Sequence, residues 1–190
     1  MGKTRSTIDD EAKRFIEAQK IFFVASAPLD AAGHVNLSPK GLDTFRILGP
    51  TTVAYMDFNG SGIETIAHLK ENGRIVLMFC AFQGPPNIFR LYGHGRVVEP
   101  NNPEFSGLAG NFPAFEHTRS IIVVQVTRVT DSCGYGVPLF KYEGERQQLQ
   151  LWAGKQGSEG LRTYRAQKNR SSIDGLRGLS EPDPNHKEIM

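Results

Sequence analysis

With 190 residues, 39% of them hydrophobic and 22% charged, the chain holds enough apolar material for one domain with a real core. Its formal charge of +2 leaves no basic surplus pointing to nucleic acid or an anionic membrane surface, and no apolar run approaches the ~20 residues that span a bilayer. The polar start Met1-Gly2-Lys3-Thr4-Arg5-Ser6 lacks the apolar core of a signal peptide, and Cys80 and Cys133 have no metal spacing, so a cytoplasmic location is expected.

The first element in chain order is a helix over residues 6–20. Thr7 and Asp10 have the spacing of a reciprocal cap, and Ile8, Ala12, Phe15 and Ile16 form one apolar face. Ile21 to Ala27 reads as a continuously apolar strand, the pattern of a strand buried on both sides. The loop Pro28 to Gly33 leads into a second strand, His34 to Ser38. Leu42 to Leu48 is ambiguous between strand and irregular backbone, and Gly49-Pro50 ends it. Thr52 to Asp57 is a strand that feeds the turn Gly60-Ser61-Gly62 into a helix over residues 62–72. The helical period is carried by Ile63, Ile66, Ala67 and Leu69, with Gly73 as its stop.

Arg74 to Phe82 is the clearest strand of the chain. Gln83-Gly84-Pro85-Pro86 returns it as Ile88 to Val98, where Gly93 and Gly95 suggest a bulge at a barrel corner. A loop with a short helix over Pro100 to Ala109 and irregular backbone to Thr118 precede a long apolar strand, Ser120 to Asp131. Six strands with one helix inserted among them argue for an antiparallel barrel or sandwich rather than a doubly wound sheet. Beyond Asp131, Glu145 to Ala153 and Ser158 to Lys168 read as two polar helices interrupted by Gly154 and Gly157. From Asn169 glycine, proline and charge dominate, which predicts an extended or partly disordered tail.

The stretch with most chemical content is His34-Val35-Asn36-Leu37-Ser38-Pro39-Lys40-Gly41 together with the turn and helix after Asp57. Ser61 and Glu64 have capping-box spacing, and a helix start that opens from a glycine turn offers free amides and a positive dipole end to an anion. Lys40 would add a formal charge. The plainer alternative stands beside it, since most capped helix starts bind nothing and a Ser-Pro-Lys-Gly corner alone is a turn.

Phe22-Phe23-Val24-Ala25-Ser26-Ala27-Pro28, the His34–Gly41 stretch, Tyr55-Met56-Asp57-Phe58-Asn59-Gly60-Ser61-Gly62 and Asn72-Gly73-Arg74-Ile75-Val76-Leu77-Met78-Phe79 follow one another at short intervals. In this order the chain resembles the flavin-binding pyridoxamine 5'-phosphate oxidase-like family, over about residues 15–131. The resemblance implies a mainly β (α+β) fold, a six-stranded antiparallel split β-barrel with flanking helices, working as a homodimer with FMN at the subunit interface. It divides the chain into an FMN-binding barrel (1–131), a helical extension packed on it (132–168) and the tail (169–190). It implies a cofactor-binding set of Asn36, Ser38 and Lys40 on the second strand, Tyr55 and Asp57 on the next wall, and Ser61, Gly62 and Thr65 at the phosphate end. For Lys40 it favours stabilising negative charge on the reduced ring, with phosphate binding as the rival role.

One departure stands out. The oxidases proper carry a basic group at the start of the inserted helix, where this chain has Gly62-Ile63-Glu64. Charge for a phosphate must then come from elsewhere, and Arg46, Arg74, Arg90 and Arg119 are candidates, of which Arg90 is carried in the expected cofactor set. The closing segment also lacks the family's Arg-x-His, so the substrate is not inherited with the fold; Tyr135 and Trp152 are aromatic candidates for the open face of the ring, with packing against the barrel as the favoured alternative. Nucleophile elbow, P-loop lysine and zinc spacings are absent, and His34, His94 and His117 are scattered. The expected function is an FMN-binding oxidoreductase acting on a small-molecule substrate. The alternatives are a flavin-binding or sensor protein without turnover, and a deazaflavin in place of FMN.

Overall fold

The computed structural model describes residues 2–115 and 117–180. In chain order it contains β1 (Thr4–Arg5), α1 (Asp10–Ala18), β2 (Phe22–Ser26), β3 (Asn36–Lys40), β4 (Phe45–Gly49) and β5 (Thr52–Phe58). Then follow α2 (Glu64–Glu71), β6 (Arg74–Cys80), β7 (Ile88–Val98), α3 (Phe105–Ala109), β8 (Thr118–Ser132) and α4 (Gln148–Lys168). The expected mainly β split-barrel architecture with flanking helices is present. The strand count rises from six because the ambiguous Leu42–Leu48 segment supplies β4 and Thr4–Arg5 adds a short strand on β8.

All pairings are antiparallel, in the order β3-β2-β6-β7-β8-β5-β4. The two ends of this path, β3 and β4, are joined by only the four residues 41–44, yet they do not pair with each other. That unpaired seam is the split in the barrel. Opposite it, β8 pairs with both β5 and β7 and carries apolar residues toward two cores. Ile122, Val124 and Val129 face the main cluster with Phe22, Val24, Tyr55 and Leu77, while Ile121 and Val123 join Met56, Val98 and Phe112 beneath α3. A run such as Ile121-Ile122-Val123-Val124 lacks alternation because both its faces are buried. The same reading fails for β2, where Phe22, Val24 and Ser26 are buried and Phe23 and Ala25 are only partly so. Alanine and phenylalanine on a partly wet face hide the period.

Glycine marks three turning points. Gly73, at φ 72°, takes the left-handed conformation that ends α2, and its amide reaches back to the Leu69 carbonyl at 3.1 Å. Between Tyr92 and Gly93 the β7–β8 register shifts, and a Cβ on Gly93 would strike the Gln125 carbonyl, so the expected bulge is built on a close backbone approach. Gly157, at φ 61° and ψ 178°, breaks α4. Twelve residues of straight helix span about 18 Å, yet the Trp152 and Tyr164 rings meet at 5.0 Å, so the two halves fold back on one another.

Three local expectations are corrected. Helix α1 begins later than residue 6, capped by Asp9, whose side chain accepts from the Ala12 amide at 2.8 Å, rather than by Thr7 and Asp10. Helix α2 has Ile63 at its cap position with no side-chain capping bond, so the Ser61–Glu64 box does not form. Residues 169–180, expected to be extended or disordered, form a closed turn. Gly178 N donates to the Arg170 carbonyl at 2.7 Å, Leu179 N to the Asn169 carbonyl at 2.9 Å, and Leu179 packs on the main core. The rest of the expected tail, 181–190, lies outside the described residues. Among the described residues no helix is long and apolar enough to cross a membrane.

Candidate functional site

A cleft of about 310 Å³ opens where β3, the corner after it, the end of β5 and the start of α2 meet. Period-two alternation on β3 turns Asn36, Ser38 and Lys40 into it and leaves Val35 and Leu37 facing solvent. The three polar side chains form a continuous row. Asn36 Nδ2 donates to Thr65 Oγ1 of α2 at 2.8 Å, Ser38 Oγ donates to Asn36 Oδ1 at 3.1 Å, and Lys40 Nζ donates to Asp57 Oδ1 at 2.7 Å. Strand edge and helix start are thus tied by side chains where no backbone ladder joins them.

Asp57 ends this row. It is fully buried and accepts from Lys40 on one oxygen and from Arg119 Nε on the other, both at 2.7 Å. Burial pushes its pKa up, but the two cations and their hydrogen bonds outweigh burial and hold it at about 2. Arg119 also donates from Nη1 to the Gly60 carbonyl at 3.1 Å, which receives Asn169 Nδ2 at 2.8 Å as well. The turn before α2 is therefore held from β8 and from the tail together. Asn59, beside it, is 4% exposed; its Nδ2 donates to the His117 carbonyl, and its Oδ1 has no partner.

The corner from β3 to β4 is strained. Leu42 and Asp43 both adopt positive φ, 63° and 53°, at a cost of ~1–2 kcal/mol each for residues carrying a Cβ. Thr44 Oγ1 bonded to the Gly41 carbonyl at 2.7 Å, and Arg46 gripping the Asp43 carboxylate with both Nη atoms, hold it in place. Gly41, Leu42 and Thr44 line the cleft, so the strain lies at its rim.

The expected residues divide sharply. Asn36, Ser38, Lys40, Gly62 and Thr65 line the one cleft, with Asp57 beneath Lys40 and Arg119. Ser61 lies outside it, lining a shallower extension with His34, Glu64 and Ile173. Tyr55 is fully buried in the main core against Phe22, and burial, with the Asp57 charge, pushes its hydroxyl pKa well up. Arg90 sits near the start of β7 opposite Met78 and Thr130 and donates to Ser132 Oγ, away from the cleft. Of the four candidate arginines, Arg119 alone lines the cleft. Its signal in the sequence is a charge at the mouth of an apolar strand. Asn59 and Leu149 of α4, which also line the cleft, carried no such signal. Trp152 packs on Tyr164, and Tyr135 is 83% exposed; neither lines the cleft.

The family model described as pyridoxamine 5'-phosphate oxidase matches residues 8–133, which takes in β2 to β8 and every residue of the cleft except Leu149. The chain belongs to the pyridoxamine 5'-phosphate oxidase family. It is 38% identical over 190 residues to the pyridoxamine 5'-phosphate oxidase family protein ustO of Aspergillus flavus, covering 91% of this chain and 76% of the relative. Among solved structures it is similar in fold to HupZ of Group A Streptococcus, with 22% identity, TM-score 0.53, and 66% of this chain and 99% of that one covered. A Lactobacillus delbrueckii protein proposed to be a pyridoxamine 5'-phosphate oxidase gives 15% identity, TM-score 0.51 and coverage of 66% and 94%. Both likenesses place this family member's split barrel among known ones.

Proposed function

We propose that the cleft binds a flavin by the polar edge of its ring and that the protein is a flavin-dependent oxidoreductase acting on a small organic molecule. The supporting observation is a pair of cationic donors at one end of the cleft: Lys40 and Arg119 both line it and carry more N–H groups than their bonds to Asp57 and Gly60 use. The edge of a flavin's pyrimidine ring presents two carbonyls flanking an N–H, and those carbonyls accept from such donors. When bound, the flavin supplies the redox chemistry. The chain's own groups orient the ring, and Lys40 and Arg119 together exceed the Asp57 charge by one, which favours added negative charge on the ring side. The phosphate of FMN fits less well. Glu64 stands at the helix start, and both cations of the cleft are bonded to Asp57.

We also propose a homodimer. Val35, just before edge strand β3 and 74% exposed, and Leu37 on it, 64% exposed, form an apolar strip beside the cleft. A second reading, a flavin-binding protein without turnover, is favoured by Leu149, which lines the cleft from α4 and narrows the space in which a substrate would lie on the ring.

The deciding experiment is a mass spectrum of whatever ligand the purified protein releases, together with its visible absorption. A flavin or deazaflavin supports the assignment, and a colourless protein that takes up neither overturns it. Reduction of the bound flavin by a nicotinamide and reoxidation by a defined acceptor separate the enzyme from the non-catalytic binder.

A further inference from the structure

The flavin reading leaves open which form of flavin the cleft accepts, and the charges at its two ends differ. Lys40, Asp57 and Arg119 sum to one positive charge under the ring end. At the α2 end the charge is reversed. Glu64 folds back over the helix start, so that a Cβ on Gly62 would lie only 2.6 Å from its Oε2, and its Oε1 takes the Ile173 amide of the closing turn at 3.4 Å. Glu64 lines both the cleft and the shallow extension beyond it. That extension also has Asp174 close by, its carboxylate bonded to the His34 ring at 2.6 Å and to the His34 amide at 2.8 Å. Among the described residues of one protomer, neither the cleft nor its extension is lined by any lysine or arginine besides Lys40 and Arg119.

A phosphate dianion at this end of the cleft would therefore meet the Glu64 carboxylate, with the His34 imidazole of the extension already bonded to Asp174. Uncompensated like charges in a partly dry site are strongly unfavourable. A neutral chain of hydroxyls suits the same surface. Glu64 accepts, and Asn36 and Thr65 offer both donors and acceptors in the row that leads to it.

We propose that Glu64 makes this cleft selective for a flavin lacking its terminal phosphate, so that riboflavin is bound in preference to FMN. This rests on the flavin reading above. The test titrates the full chain, freed of any bound ligand, with riboflavin and with FMN, following quenching of flavin fluorescence. Riboflavin is expected to bind at least about tenfold more tightly than FMN. Glu64→Gln is expected to tighten FMN binding by about tenfold while riboflavin changes by less than about threefold. Glu64→Asp, which keeps the charge, is expected to keep the discrimination, and the wild-type ratio decides the matter alone if Glu64→Gln does not fold. FMN binding as tightly as riboflavin to the wild type, with no response to Glu64→Gln, overturns the proposal and leaves the flavin reading standing. Binding of neither flavin overturns both.

Discussion

Lys40 Nζ and Asp57 Oδ1 meet at 2.7 Å across two strands, β3 and β5, that share no backbone hydrogen bond. This contact spans the split of the barrel, and Arg119 closes it from the other side. A carboxylate with no exposed surface is therefore a structural tie as well as a charge under the cleft. Asp57→Asn removes the anion and leaves two cations facing each other. The expected loss of stability is ~3–5 kcal/mol, the usual effect of breaking a buried pair from one side, read as a lower denaturant midpoint.

The same tie sets an acid limit. Asp57 is held at about 2 in the folded chain against an ordinary value of 3.8, so the unfolded chain binds its proton more readily. Its stabilising contribution is complete above the ordinary carboxylate value and is lost as pH falls through the folded value near 2. The size of that contribution is roughly 2–3 kcal/mol. Unfolding curves of wild type and Asp57→Asn should converge as pH falls through this window. Asp9, held down first by the Ala12 amide, and Asp131, where hydrogen bonds and charges outweigh burial, lose stability in the same direction. The difference between the two proteins, not the absolute slope, is therefore the measurement; a constant difference from neutral pH to pH 2 would contradict this account.

Lys40 is predicted to bear on the ligand as well as on Asp57. Lys40→Ala should weaken flavin binding by ~1.5–3 kcal/mol, the range for a charge-assisted hydrogen bond, and lower the flavin's reduction potential. Because Lys40 also holds Asp57, the variant should be compared with Asp57→Asn and the double variant. Unchanged affinity and potential in Lys40→Ala would leave the corner as a turn only.

Much of this arrangement was legible in the sequence. Asn36, Ser38 and Lys40 stand at period two, and that period alone turns all three to one face. Thr65 follows because the helix starts where the glycine turn ends. The errors have physical causes too. Tyr55 is on the same face of β5 as Asp57, but deeper in the barrel, where sequence spacing does not separate floor from core. Arg90 and Arg119 look alike as isolated charges among apolar residues. Only strand pairing decides between them, since β8 lies beside β5, with Ser120 opposite Asp57, while Arg90 pairs across to Thr130. The order after Asn169 was hidden because the turn closed by its own backbone is fixed in place by bonds to distant partners, such as Asn169 to Gly60 and Ser180 to Glu99.

The closing turn should matter for stability despite its polar composition. Asn169 is fully buried and donates to the Gly60 carbonyl, which Arg119 also uses. Asn169→Ala leaves that carbonyl with one donor fewer and opens a small gap, at an expected cost of ~1–3 kcal/mol. Thermal unfolding reads the loss, and Gly60-Ser61-Gly62 should become more open to proteolysis. A variant with wild-type stability would mean that the turn merely rests on α2.

Dimerisation is predicted from the outer face of β3. Leu37, and Val35 just before the strand, alternate with the cleft residues along β3, whose free edge is unpaired, a combination that invites a second copy. Light scattering at micromolar concentration should give a dimer, and Leu37→Glu should shift it toward monomer. A flavin-loaded wild-type monomer would count against the arrangement.

The last prediction is negative: this member of the family should not oxidise pyridoxamine 5'-phosphate efficiently. That substrate brings its own phosphate, and a cleft accepts such a dianion only with cations free to pair with it. The two cations here are both committed to Asp57, at 2.7 Å each, and the far end of the cleft presents the Glu64 carboxylate. Freeing Lys40 or Arg119 for the substrate would strand the Asp57 charge, fully buried, with half its compensation. Aerobic incubation of flavin-loaded protein with pyridoxamine 5'-phosphate should yield neither pyridoxal 5'-phosphate nor peroxide above the flavin-only control. Turnover near ~1 s⁻¹, the low end of ordinary enzymes, would mean that the carboxylates move aside on binding and that the charge argument fails at this site.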